Sequence, residues 1–301
     1  MTLDEVFLKN VKLLTQVSDD EQQMLPAKEV LLPSVDAVRE IITLVKKIVF
    51  PGFFDKRQSD DNLRSYHIGV NMEQLVKLLR KQIALALQYD DCCDDDCLSM
   101  RSKQLAYHFI DHLPQIKHML YTDVKAIYAN DPAVNTYSEV IFCYPVIEAM
   151  VHYRVAHDLL RMGVPVIPRI MAEQAHAATG IDIHPGAQIG EYFSIDHGTG
   201  VVIGATCIIG NHVMLYQGVT LGSKNFKLDG KGFSQHVDTP RHPILEDNVT
   251  IYSNSTLLGH ITIGHDTIIG GNIWVTNSVP PHSKLLQSKA LDVSFSDGLG
   301  I

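Results

Sequence analysis

Two short stretches place imidazole and carboxylate groups where a proton could be moved. Asp182-Ile183-His184-Pro185 and Asp196-His197-Gly198-Thr199-Gly200 put one carboxylate fifteen residues before His197 and another directly beside it. An imidazole supported by a carboxylate is the usual side-chain base for activating a hydroxyl near neutral pH. Arg241-His242-Pro243 adds a permanent positive charge, and Asn130-Asp131-Pro132 a carboxylate in a turn-forming context. A second chemistry is suggested by Asp90-Asp91-Cys92-Cys93-Asp94-Asp95-Asp96-Cys97, since thiolates and carboxylates both bind metals. Its spacing matches no standard zinc pattern, and it reads as a solvated acidic loop between helices.

The elements that must position these groups change character near residue 180. The 301 residues are 46% hydrophobic and 20% charged, which is enough apolar content for one large or two modest domains. A formal charge of −9 without a basic patch argues against nucleic-acid binding. Five cysteines without framework spacing suggest a reducing compartment. With no secretory start and no apolar run of about 20 residues, the expectation is a cytoplasmic protein without a membrane partner.

Before the boundary the spacing predicts helices. Ser34 can cap one carrying Val38, Ile41, Ile42, Val45, Ile48 and Val49, with Pro51-Gly52 beyond its end. Asn71 is read as opening a second, Thr122 a third, and a fourth runs from about Ser138 to Met162, where Gly163 and Pro165 stop it. After the boundary the period becomes six: Ile183, Ile189, Ile195, Ile203, Ile209, Leu215, Leu221, Leu245, Ile251, Leu257, Ile263, Ile269 and Val275. A six-residue unit cannot bury its own aliphatic side chain, whereas stacked coils form a continuous ladder of them. The expected fold is therefore α+β: an α-helical domain over 1–178, a parallel β-helix over 179–282 interrupted by a loop at 223–243, and a flexible tail over 283–301. A loop that long in a regular solenoid is usually functional or disordered.

The repeat resembles the hexapeptide-repeat acyltransferases, whose coils wind left-handed. The ordered combination of Asp131-Pro132-Ala133-Val134, Asp182-Ile183-His184-Pro185 and Asp196-His197-Gly198-Thr199-Gly200 is similar to the serine acetyltransferase family over roughly residues 121–282. That resemblance implies acetyl transfer from acetyl-CoA to the L-serine hydroxyl, with His197 as general base and Asp182 orienting it. It implies serine contacts from Asp131 and Asp196 to the ammonium and from Arg241 and His242 to the carboxylate. CoA contacts fall near Gly222, Ser223 and Ser253, in a groove between subunits of a trimer or a dimer of trimers. No metal and no tightly bound cofactor are expected. The C-terminal Ile301 fits the family's use of a terminal isoleucine to enter O-acetylserine sulfhydrylase. The sequence departs from the family where Leu221-Gly222-Ser223-Lys224 replaces a double glycine and where Thr239-Pro240 precedes the arginine. Other acceptors, such as a sugar or homoserine, remain open, although a sugar lacks charges to match the four polar residues. A γ-type carbonic anhydrase would instead use His184, His197 and His212 around zinc.

Overall fold

The computed structural model describes residues 2–25, 31–55, 61–90, 95–224 and 239–288, with backbone alone for 61, 62, 89, 90 and 95. Residues 91–94 of the Cys/Asp cluster, 225–238 of the long loop and 289–301, including Ile301, lie outside it. Met1–Leu32 is a unit of its own, with α1 (Leu3–Leu14) and α2 (Asp19–Met24). Each opens on a capping box, in which Thr2 or Ser18 exchanges hydrogen bonds with Glu5 or Glu21.

The second unit begins at Pro33 and holds α3 (Val35–Val49), α4 (Asp61–Asp90), α5 (Asp95–Asn130), α6 (Tyr137–Cys143), α7 (Pro145–Arg161) and α8 (Ile167–Thr179). The first of these follows the sequence expectation: Ser34 Oγ accepts from the Ala37 N–H, and the apolar stripe is buried. Three expectations are corrected. Asn71 lies inside α4, and Thr122 lies inside α5. Rather than capping, the Thr122 hydroxyl donates back to the Met119 carbonyl and accepts the Tyr192 N–H, a tertiary contact that composition does not announce. The expected helix from Ser138 to Met162 is two helices, because Pro145 holds the preceding Tyr144 extended (φ −83°, ψ 122°). The sequence reading also missed α8, although Pro168 at its start and left-handed Gly180 at its end are its signals.

Fourteen short strands follow, from β1 (Asp182–Ile183), β2 (Gln188–Ile189), β3 (Ser194–Asp196), β4 (Val202–Ile203), β5 (Ile208–Ile209), β6 (Met214–Tyr216) and β7 (Thr220–Gly222) to β8 (Ile244–Leu245), β9 (Thr250–Ile251), β10 (Thr256–Leu258), β11 (Thr262–Ile263), β12 (Ile268–Ile269), β13 (Trp274–Val275) and β14 (Lys284–Leu285). They form three parallel sheets: A (β1-β4-β7-β10-β13), B (β2-β5-β8-β11) and C (β3-β6-β9-β12-β14). The chain visits A, B and C in turn, so this is the expected parallel β-helix. Every aliphatic residue of the six-residue series is buried, and so is a second inward position two residues earlier, as at Ile181, Phe193, Val201, Val213 and Val249.

Sheet A records the length of each coil. Asp182 pairs with Val202 and Val202 with Thr220, steps of twenty and eighteen residues. Thr220 then pairs with Thr256, thirty-six residues on, so the long loop leaves and re-enters between A and B without breaking register. The corners are built from left-handed residues: His197, Asn254 and Asn272 between C and A, and Tyr192, His212, Asn248, Asp266 and His282 between B and C. Gly, Asn, Asp and His tolerate this conformation best, which accounts for much of the turn chemistry in the repeat.

Candidate active site

At the first corner between C and A, β3 ends in Asp196 and the chain turns at His197 (φ 58°), Gly198 and Gly200. The His197 side chain is 70% exposed, and its Nδ1 lies 3.5 Å from Asp196 Oδ1. Asp131 follows the end of α5 and faces the same corner. Tyr144, held out by the break before Pro145, donates its hydroxyl to Asp131 Oδ2 at 2.6 Å, and the Ala133 N–H donates to Oδ1 at 2.8 Å. The Tyr144 bond, the Ala133 N–H and the nearby His197 lower the Asp131 carboxyl below its usual range, while the same bond pushes the phenol up to about 12. Two carboxylates thus stand beside an imidazole, an arrangement suited to an ammonium. On the neighbouring coils of sheet C, Tyr216 stacks on Tyr252 with centroids 4.8 Å apart.

The helices fix this corner through buried polar contacts. Arg154 of α7 donates to both carboxylate oxygens of Asp123 on α5 (2.9 and 3.2 Å) and to the carbonyls of Ile189 and Gly190. Asp123 also accepts the Phe193 N–H, and Asn130 donates to Ser194 Oγ. Asp131, one residue beyond, therefore inherits its position from the first coil of the β-helix.

A second group occupies the corners between A and B. His242 is buried, and its Nδ1 accepts the Thr206 N–H at 3.1 Å, which leaves the proton on Nε2. Thr206 Oγ1 in turn accepts the N–H groups of Arg241 and His242 at 2.9 and 3.1 Å. A Cβ at Gly204 would stand 2.0 Å from the His242 ring, so this glycine is required by packing rather than by φ. His184 accepts the Gly186 N–H at Nδ1 and feels the charges of Asp182 and Arg241. The Arg241 guanidinium and a neutral imidazole with a free Nε2–H together suit a carboxylate.

Burial, with Arg241 and His184 nearby, lowers His242 to about 4 from 6.5, and burial lowers His184 too. Between those two values the unfolded chain binds the proton and the folded one does not. The stability His242 contributes is therefore complete above pH 6.5 and lost as pH falls toward 4. Urea titration should give a lower midpoint at pH 5 than at pH 7, and His242→Asn should narrow that difference.

The two groups do not meet within one chain. Asp182 and His197 were expected on neighbouring coils; the twenty-residue first coil puts both in the same one, and no hydrogen bond or ion pair joins them. Fifteen residues are less than one coil, whether of eighteen residues or of twenty, so Asp182 on β1 and His197 at the corner before β4 belong to a single turn. The residues expected to contact CoA divide in the same way, with Gly222 and Ser223 at the corner between A and B and Ser253 between β9 and β10, at the corner between C and A. His184, His197 and His212 occupy three different corners, so they do not converge on a metal in one chain. Sequence reasoning missed Tyr144, Thr206 and the Tyr216–Tyr252 pair. Only the X-Pro break at Tyr144 had a local signal.

Comparison with known proteins gives the following. No family model matches the chain. A plasmid serine acetyltransferase of Synechococcus elongatus is 41% identical over 299 residues, covering 97% of this chain and 93% of that protein. Serine acetyltransferase 1 of Entamoeba histolytica, solved in complex with L-cysteine, superposes with a TM-score of 0.73 at 36% identity, covering 86% of this chain and 88% of that one. A serine acetyltransferase solved in complex with CoA gives 0.52 at 25% identity over 83% and 96% of the two chains.

Proposed function

The chain belongs to the serine acetyltransferase family, and from that premise we propose how its two half-sites carry out acetyl transfer from acetyl-CoA to L-serine. The observation that carries the proposal is their placement on opposite edges of sheet A: His197, Asp131, Asp196 and Ser253 on one, His184, Arg241, His242, Gly222 and Ser223 on the other. Between them the outer face of sheet A presents Val202 and the 67% exposed Trp274, apolar surface suited to burial against another copy. One copy's first edge then meets a second copy's second edge, and closure gives a trimer.

In the assembled site Asp131 and Asp196 hold the serine ammonium, and Arg241 with the Nε2–H of His242 holds the carboxylate. This leaves the hydroxyl facing His197. The imidazole takes the hydroxyl proton as the oxygen attacks the thioester carbonyl; a tetrahedral intermediate forms, collapses, and releases CoA as the thiolate accepts the proton back from His197. Asp182, which shares the surroundings of His184, comes from the second copy and stabilises the imidazolium. No acyl-enzyme is needed. Gly222, Ser223 and Ser253 line the inter-copy groove for CoA.

A dimer of trimers through the helical part, a cytoplasmic location and docking of Ile301 into O-acetylserine sulfhydrylase complete the proposal. Among the described residues no helix is long and apolar enough to cross a membrane.

Complementation tests the split site. His197→Asn and His242→Asn chains should each be strongly impaired, while co-expressed mixed trimers should recover about a third of the wild-type rate, because in either mixed composition one of the three interfaces joins two intact edges. Absence of recovery, in assemblies shown to be mixed, would place the site within one chain.

A further inference from the structure

The third edge of the β-helix, between sheets B and C, carries neither half-site. Its left-handed residues stack from coil to coil: Tyr192 lies flat on His212 at 4.5 Å, and further along Asn248 Nδ2 donates to Asp266 Oδ1 at 3.1 Å. At the last two coils this ladder becomes a convergence of donors. His265 Nδ1 lies 2.7 Å, and His282 Nδ1 3.6 Å, from the same oxygen, Asp266 Oδ2. The two rings meet edge to face with centroids 4.8 Å apart, and the three ligand atoms lie within 4.8 Å of one another. Among the described residues, this is the one grouping of three histidine, cysteine or carboxylate side chains so arranged.

We propose that His265, Asp266 and His282 bind one divalent transition-metal ion of the zinc class and thereby clasp the last coil of the β-helix to the one beneath it. Zinc bonds of about 2.0–2.1 Å place neighbouring tetrahedral ligands about 3.3 Å apart, and the observed 2.7 and 3.6 Å straddle that value. Two imidazoles and a carboxylate favour zinc, nickel, cobalt or copper over magnesium and calcium, which prefer all-oxygen shells. The side chains are 44%, 42% and 70% exposed, so water can complete the coordination. Asn248 supplies the supporting contact that such sites use to orient a ligand: it occupies Oδ1 and leaves Oδ2 turned toward the two nitrogens. The backbone is already set, because the His282 N–H donates to the His265 carbonyl at 2.9 Å and the His265 N–H to Glu246 Oε2 at 2.8 Å. Among the described residues beyond His282, β14 is the one strand left to be held, paired with β12 along one edge. The ion is structural, remote from both half-sites, and acetyl transfer does not require it.

The test is equilibrium dialysis of the full chain against zinc, with metal quantified per chain, for the wild type and a His265→Asn/His282→Asn double variant. Asparagine suits the left-handed backbone at 282. The double variant should bind one equivalent fewer, zinc should raise the melting temperature of the wild type alone, and Asp266→Asn should weaken binding by at least about tenfold. Apo acetyltransferase activity should be unchanged in all. Zinc held elsewhere, at active-site histidines or near Cys92 and Cys93, is common to wild type and variant and cancels in the difference. Equal stoichiometry in both proteins overturns the proposal. Should the double variant fail to fold by circular dichroism, His265→Gln alone makes the same comparison, with loss of the equivalent expected and its retention decisive against the site.

Discussion

Replacing His197 with asparagine should lower kcat with L-serine by about three orders of magnitude, within the 10²–10⁴ that a positioned general base contributes. The Michaelis constants and the melting temperature should barely move. Asparagine accepts the φ of 58° at this corner, where alanine would add backbone strain unrelated to catalysis. The side chain is 70% exposed and makes no hydrogen bond that fastens one element to another, so its removal leaves the coil intact. The measurement is CoA thiol release under saturating acetyl-CoA and serine. A variant that keeps more than about a tenth of the wild-type rate would mean that another group takes the proton.

Arg154→Met should be the most destabilising single change, costing about 3–5 kcal/mol because it strands a buried carboxylate. Asp123 is fully buried, and Arg154 supplies both of its guanidinium contacts as well as bonds to the carbonyls of Ile189 and Gly190. For a unit of this size the loss corresponds to a fall in melting temperature on the order of 10 °C. Adding Asp123→Leu should recover only part of it. Removing both charges relieves the unpaired carboxylate, but the two carbonyls and the Phe193 N–H still lack partners. Thermal unfolding of the single and double variants gives the coupling directly. A single-variant loss below about 1 kcal/mol would show that water replaces the guanidinium and that the clamp does not hold α5 and α7 to the first coil.

The sequence by itself determined the β-helix, because a six-residue unit has one physical solution for its aliphatic side chain and every residue of the series is buried. It also determined the start of α3, where cap and apolar stripe agree, and the residue types of both half-sites. It was weaker on α4 and α5, where polar residues that resemble caps lie inside long helices and serve contacts with distant segments, as Thr122 does with Tyr192. Only the tertiary structure decided which residues meet. Spacing along a chain counts residues, whereas a prism sorts them by corner: fifteen residues are less than one coil of eighteen or twenty, so Asp182 and His197 share a coil instead of occupying the expected neighbouring ones. The same sorting set Arg241 and His242 on Thr206 and against Gly204, and brought His265, Asp266 and His282 together from two coils. These contacts depend on coil register, which is fixed by the summed packing of the whole ladder rather than by any local pattern.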